Sequence, residues 1–397
     1  MNDRESDADL KILMVSPFFP PVVNGVSLHV YHLAKGLAAH GVHVRLHTIK
    51  SSLAKSVLDS DLKLDNIHTV SFKGLLNFIG QWNQQPLSLS YVMETIAACD
   101  DFDVVHVHDF PKVCNEILIL MMKKLKTKKP LVLTPHAAGM PSPAYRNATT
   151  KRRIYWYLGV PQRVFTSVDR IIAVSSLERE LFGEVCGTNR VSLIPEGVPS
   201  HYFVDAPVFA DEEKLKIVFV GRIVERKGIK YLLQAIDEII KTGHGQHKLE
   251  LVCIGPDWGY LSTVLRMIDD LGLNNAVKML GPLPEPEKIK YLSWCDVLVL
   301  PSLFESFGIP LAEAMAQGKP VIATETVGSR SLVRHGETGF LVKIGEPHSI
   351  AEALMRFIHD PELKYQMGRA ALKRASEFHI ENTVKGHLHL YESLLAN

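Results

Sequence analysis

Two glutamates eight positions apart, Glu305 and Glu313, stand where an apolar run gives way to a helix. The run at 297–300 reads as a buried parallel strand. Beyond it, Pro310 suits the first turn of a helix and Gly318 its C-terminal cap. Glu305 then falls in the turn and Glu313 in the first turn of the helix. A helix start offers unpaired N–H groups and a partial positive charge, which together can hold phosphate. Pro310 has no N–H, so Leu311 and Ala312 are the expected donors. A carboxylate has two acceptor oxygens, and a vicinal diol has two hydroxyls to offer them. One carboxylate for a ribose and one for a sugar is the chemistry this spacing allows. The plainer alternative is that Glu313 complements the helix dipole, worth about 0.3–1 kcal/mol, and that Glu305 is solvated.

These residues need a scaffold, and 397 residues suit two domains of about 150–200 residues each. The hydrophobic share of 46% and charged share of 22% are those of an ordinary α/β protein. A net charge of +1 gives no overall field to draw nucleic acid. Five scattered cysteines, none in a CxxC pair, read as small core residues in a reducing compartment, with no zinc site. The acidic, polar start argues against a signal peptide, and no apolar run nears the ~20 residues that span a bilayer. The expected location is the cytoplasm, with the inner face of a membrane as a peripheral alternative.

Strand and helix signals alternate along the chain. A strand at 11–16 leads through a loop carrying Asn24 and Gly25 to a helix at 27–39 and a strand at 42–48. Loops after the strands of open α/β sheets are where ligands bind, and a glycine lets a backbone amide approach an anion. No GxGxxG and no GxxxxGK[ST] occurs, which speaks against a dinucleotide cofactor and a P-loop. Strands at 104–108, 131–134 and 171–175 continue the first sheet. His106 and His108 lie along one of them and read as structural, whereas His136 follows the next strand at its C-terminal end. Asp101 and Asp103 form a DxD, but at the start of a strand, away from ligand sites. Residues 199–213 read as a linker. A second sheet follows with strands at 215–220, 249–254, 277–280, 297–300 and 321–324.

The element around Glu305 and Glu313 resembles the E-x7-E element of the retaining glycosyltransferases of family four. Pro301-Ser302, Ser306-Phe307-Gly308, Glu313-Ala314-Met315-Ala316 and Gly318-Lys319-Pro320 match as well. So does Gly221-Arg222 with Lys227-Gly228 after the strand at 215–220. The resemblance spans nearly the whole chain and is weaker before Ile171. It implies an α/β fold of the GT-B class, two Rossmann-like domains with parallel sheets facing a central cleft. Residues 1–198 would form the acceptor-side domain, joined by a C-terminal helix at 378–397. Residues 214–377 would bind the nucleotide-sugar.

The implied reaction moves a hexosyl group from a nucleoside-diphosphate sugar, UDP or GDP type, to an acceptor hydroxyl on a glycan, lipid or small molecule. Configuration would be retained, with no metal and no cofactor. Arg222 and Lys227 would grip the diphosphate, an Arg fork and a Lys point charge for two phosphates. Glu305 would hold the sugar, Glu313 the ribose, and His136 would touch the sugar from the other domain. Asn24, Gly25, Ser306, Phe307, Gly308, Leu311, Ala312 and Gly281 complete the implied binding set. Three departures stand out: Asn24 and Glu196 replace a family Gly and Asn, and Gly328-Ser329-Arg330-Ser331 replaces a Gly-Gly pair with a later Glu. The alternatives are a GT-B-like sugar-nucleotide epimerase or phosphorylase, and a non-catalytic sugar-nucleotide-binding protein.

Residues 101–190 carry 14 basic and 8 acidic side chains. Lys123, Lys124, Lys126, Lys128 and Lys129 suit a helix C-terminus. Lys151, Arg152 and Arg153 precede Ile154-Tyr155-Trp156-Tyr157-Leu158, and basic beside aromatic residues suit an anionic membrane surface. The competing reading is that this aromatic run is core.

Overall fold

The computed structural model describes residues 10–20, 25–50, 67–73, 76–77, 86–136, 157–209, 214–242 and 249–396. They divide into two compact units, Met1–Pro195 with Ile380–Asn397, and Glu196–His379.

In the first unit, β1 (Lys11–Val15), β2 (His43–Lys50), β3 (Ile67–Lys73), β6 (Val104–His108), β7 (Leu131–Thr134), β8 (Arg170–Ala173) and β9 (Val191–Leu193) form one parallel sheet, while β4 (Leu76–Asn77) and β5 (Pro86–Leu87) pair apart from it. Its helices are α1 (Gly25–Ala39), α2 (Leu89–Ala98), α3 (Val113–Leu125), α4 (Val160–Ser167) and α5 (Ser176–Cys186). The sheet order is β3-β2-β1-β6-β7-β8-β9. The chain thus winds outward from β1, then returns to lay β6 on the other side of β1. Helix α1 starts at Gly25, two residues earlier than its sequence suggests, and β3 and α2 have no counterpart among the expected elements. Apolar residues lie on both faces of β1 and β6, as a sheet covered by helices on both sides requires.

The second unit repeats the plan. Strands β10 (Leu215–Val220), β11 (Leu249–Ile254), β12 (Val277–Gly281), β13 (Val297–Leu300), β14 (Val321–Thr324) and β15 (Gly339–Val342) order as β12-β11-β10-β13-β14-β15, all parallel. Helices α6 (Ile229–Lys241), α7 (Leu261–Asp270), α8 (Glu285–Trp294), α9 (Ile309–Ala316), α10 (Val327–Leu332), α11 (Pro347–His359) and α12 (Glu362–Ala375) cover it. Each sheet reverses direction beside its first strand, and that is where open α/β sheets bind ligands.

An aspartate locks the returning strand in both units. Asp103, just before β6, accepts the Lys11 amide at 2.9 Å and gives its own amide to the Lys11 carbonyl at 2.9 Å. Asp296 does the same with Lys216 before β13, at 2.9 and 2.8 Å. Asp169 repeats it with Leu131 before β8, at 2.8 and 2.8 Å. Asp103, the second acid of the DxD, is therefore part of the sheet's structure, at the edge away from ligands.

The last helix, α13 (Ile380–Leu395), returns to the first unit and packs on α1. Val384, Leu390 and Tyr391 join Ile12, Met14, Val30, Leu33 and Leu37 in one core cluster. Tyr391 Oη reaches His106 Nδ1 at 2.7 Å, which ties the helix to β6. Gly36 permits the approach, since a Cβ there would stand 2.3 Å from Val384 Cγ2. On helix propensity alone, Gly36→Ala should stabilise by about 0.8–1 kcal/mol. The close packing predicts the opposite sign, a cost of about 1–3 kcal/mol from overpacking. Thermal melting of the variant checks this, and a raised melting temperature would contradict the packing.

Candidate functional site

Neighbouring strands send their C-terminal loops to the same edge, and β10 pairs directly with β13 through Ile217–Val297. The loop after β10 carries Arg222 and ends in a 3-10 turn, Glu225–Lys227, closed by Gly228 at φ 71°. The loop after β13 runs from Pro301 to Gly308. Three contacts join them. The Leu303 amide donates to Arg226 O at 2.8 Å. Gly228 lies so near Pro301 that a Cβ would sit 1.9 Å from its carbonyl oxygen. Lys227 Nζ donates to Glu305 Oε1, which also takes the Ser302 hydroxyl at 2.6 Å.

Lys227 and Glu305 are both buried. Burial pulls the Lys227 ammonium below its ordinary pKa against the attraction of Glu305. Burial alone would raise Glu305, but the Lys227 charge and the hydrogen bonds from Lys227 and Ser302 hold it below the usual carboxylate value. Arg222 lies with its guanidinium 4.3 Å from the centre of the Trp258 ring. The Gly328 amide bonds the Glu305 carbonyl at 3.0 Å, and a Cβ on Gly328 would meet Phe307 N at 2.5 Å. At the departure from the family pattern, then, the glycine still serves close packing. Thr326 caps α10 by accepting the Ser329 amide.

Helix α9 opens from Gly308 at φ 98°. Here the structure corrects the sequence reading. The Leu311 and Ala312 amides are spent on Gly308 O, at 2.8 and 3.4 Å, so the amides at the mouth of the helix are those of Gly308 and Ile309. Glu313 is in the second turn. The Phe307 side chain is buried and packs edge-on against Phe378, which leaves only its backbone to face a ligand. Gly318 ends the helix as expected. Its amide bonds Met315 O at 2.9 Å and the Lys319 amide bonds Ala314 O at 3.0 Å, the Schellman pattern. Lys319 is buried and donates to Val208 O, so its part in the shared motif is structural.

Glu313 is buried; its Oε1 accepts from Lys288 Nζ at 2.7 Å, while its Oε2 has no hydrogen-bond partner. A buried carboxylate oxygen without a donor costs free energy unless something fills it. Gly281 closes β12 at φ 72° and gives its carbonyl to the Gly255 amide at 2.9 Å, with open space where its Cβ would be. Glu196 is buried.

The remaining expected residues belong to the first unit. Asn24 lies outside the described residues, and Gly25 is the exposed first residue of α1. His136 follows β7 with φ 50°, and its neighbour Asp109, after β6, has φ 77°. Their loops are held together by Asp109 N to Thr134 O at 3.0 Å and Phe110 N to Pro135 O at 2.9 Å. His136 Nε2 stands 3.4 Å from His108 Nδ1. His106 is spent on Tyr391 and, at 2.7 Å, on Thr134 Oγ1. His108 has no such role: it is buried and its Nε2 has no partner. His29 of α1 completes the group, with its ring centre 4.9 Å from that of His136. Sequence reasoning missed His29, Trp258, Lys288 and Ser302 as neighbours of the site. Ser302 was within reach as part of a motif, but the others sit on separate elements with no motif of their own.

Two doubly wound parallel sheets, with charged and hydroxyl side chains at the C-terminal edge of the switch point, define a fold of the GT-B class. Residues 23–202 match the family model described as Glycosyltransferase Family 4, and residues 204–374 match Glycosyl transferases group 1. The chain belongs to this glycosyltransferase family. It is 26% identical to a D-inositol 3-phosphate glycosyltransferase of Corynebacterium diphtheriae, over 93% of this chain and 91% of that one. A D-inositol 3-phosphate glycosyltransferase of Acidothermus cellulolyticus is 30% identical over 59% of this chain, a match that covers about half of that protein's length, 55%. Among solved structures, a sucrose-phosphate synthase of Thermosynechococcus elongatus superposes with a TM-score of 0.80 at 22% identity, covering 98% and 99% of the two chains. Anabaena HepE, solved with UDP and glucose, gives 0.75 at 19%, covering 97% and 100%.

Burial holds His47, His136 and His387 down to a pKa of about 4. Burial and neighbouring imidazoles push His106 and His108 well below the usual value. These groups stay neutral when folded but take up protons near pH 6.5 when unfolded. The unfolded chain therefore binds more protons between pH 6.5 and 4, and stability falls as pH is lowered through that window. The melting temperature should begin to drop near pH 6.5, above the range where carboxylates protonate. A flat profile from pH 7.5 to 5 would contradict the buried neutral histidines.

Proposed function

We propose that the chain transfers a hexosyl group from a UDP-sugar to an acceptor hydroxyl, with retained anomeric configuration and without a metal ion. The observation that carries this reading is the buried ion pair between Lys227, on the loop that also holds Arg222, and Glu305, on the neighbouring loop after β13, at the switch point of the second sheet. UDP is chosen over GDP because HepE was solved with UDP and also with UDP-glucose. The bond between the anomeric carbon and the diphosphate oxygen breaks as the acceptor oxygen approaches from the same face. The acceptor proton passes to the departing phosphate. Arg222, Lys227 and the amides of Gly308 and Ile309 would meet the growing negative charge. Glu305, kept ionised by Lys227, would accept from sugar hydroxyls. The unfilled Glu313 Oε2 would accept from a ribose hydroxyl, and His136 would contact the sugar.

Lys227→Ala is a poor test, because it leaves Glu305 buried and unpaired at a cost of about 3–5 kcal/mol. Arg222→Ala is cleaner and should lower kcat about 10²–10³-fold, or ~2.7–4 kcal/mol, with little change in melting temperature. Glu313→Gln should weaken UDP binding by calorimetry, and unchanged affinity would remove its ribose role. Activity should survive EDTA. A loss restored only by Mg²⁺ would overturn the metal-free reading, and stabilisation by GDP-sugars alone would overturn the choice of base.

The acceptor has a second reading, a lipid-linked hydroxyl. Its support is that Tyr157 is 91% exposed and Leu158 58%, so this end of the aromatic run is not core. Lys151, Arg152 and Arg153 lie outside the described residues. Exposed Lys123, Lys124 and Lys126 add charge at the end of α3. Each basic side chain near an anionic surface contributes about 1 kcal/mol, screened by salt. The chain should co-sediment with anionic liposomes at low salt but not at high salt, and a Lys151/Arg152/Arg153→Ala variant should pellet less. Equal pelleting of the two proteins would leave a water-soluble acceptor.

A further inference from the structure

The first unit gathers three histidines from three elements at one sheet edge: His29 on α1, His108 at the end of β6 and His136 after β7. Each offers one ring nitrogen, and the three nitrogens lie within 4.8 Å of one another. We propose that these three imidazoles form a binding site for a single borderline divalent transition-metal ion, with Zn²⁺ the natural occupant.

The geometry is close to what such an ion needs. Tetrahedral Zn²⁺ with Zn–N bonds of about 2.0–2.1 Å holds its nitrogens about 3.3–3.4 Å apart. His108 Nδ1 and His136 Nε2 already stand 3.4 Å apart. No separation in the group has to close by more than about 1.4 Å, a distance within reach of small ring rotations. The backbone is prepared as well, since the bonds from Asp109 and Phe110 to the 134–135 segment fix the loops bearing His108 and His136 side by side. His29 and His108 are buried, while His136 is partly exposed and leaves a way in.

Ligand chemistry sets the selectivity. Imidazole suits Zn²⁺, Co²⁺, Ni²⁺ and Cu²⁺, whereas Mg²⁺ and Ca²⁺ prefer oxygen. Three protein ligands leave a fourth position for water. If His136 contacts the sugar as proposed above, an ion here takes that imidazole away from it. The site would then be inhibitory, and a chelator would not lower activity.

The test is titration of the full chain with Co²⁺, read by visible absorbance and so independent of any sugar transfer. One equivalent should develop the intense bands of a four-coordinate site, and one equivalent of Zn²⁺ should displace them, while millimolar Mg²⁺ should not. His29→Gln and His108→Gln should each weaken binding at least tenfold. His389→Ala, an exposed histidine on α13, should bind as the parent does. Absence of the bands in the folded parent would overturn the proposal whatever the variants do. So would unchanged bands in a His29→Gln protein with a normal melting temperature.

Discussion

The pairing of a returning strand with the first strand of its sheet is the constraint on which both units depend. Lys227 and Glu305 are 78 positions apart, yet they meet because β13 lies against β10 and their loops leave at the same edge. The reciprocal bonds of Asp296 with Lys216 lock that pairing from the opposite edge, as those of Asp103 with Lys11 do in the first unit. These aspartates stand far from any chemistry. They nevertheless set the strand register, which in the second unit places Glu305 beside Lys227 and in the first lays β6, which carries His108, against β1.

Close backbone approach is the second requirement, and glycine meets it. Gly228 lets one loop lie on Pro301, and Gly328 lets α10 lie on Phe307. A methyl group at either position would push apart the loops that carry the ionisable side chains. The result is a buried ion pair with one carboxylate oxygen held by both an ammonium and a hydroxyl. Such a pair contributes little net stability relative to apolar packing, but it keeps a carboxylate ionised and fixed in orientation. That suits a group meant to receive hydroxyls.

The two units put different chemistry at equivalent edges. The second offers ionised side chains and helix amides, suited to a diphosphate. The first offers neutral imidazoles, kept neutral by burial among one another. His106 has become structural, bonded to Tyr391 and Thr134, while His108, two residues on and facing the same way, keeps an unfilled nitrogen. Identical residue types on one strand thus have different roles, decided by what the terminal helix supplies.

The sequence by itself determined the class of fold and singled out most of the candidate site residues of the second unit. Buried parallel strands are continuous apolar runs, turns need glycine and proline at set offsets, and Glu305, Glu313, Arg222 and Lys227 lie in short motifs whose spacing survives in one dimension. Local signals also placed the end of α9 at Gly318. Only the tertiary structure decided which groups are already occupied. The Leu311 and Ala312 amides are consumed within the helix, Phe307 and Lys319 are turned into the core, and Glu313 is half satisfied by Lys288 from another helix. His29 joins His108 and His136 from a helix more than seventy residues away. Hydrogen-bond partners and ring contacts between distant segments depend on how the strands are ordered in the sheet. No local pattern of residues carries that ordering.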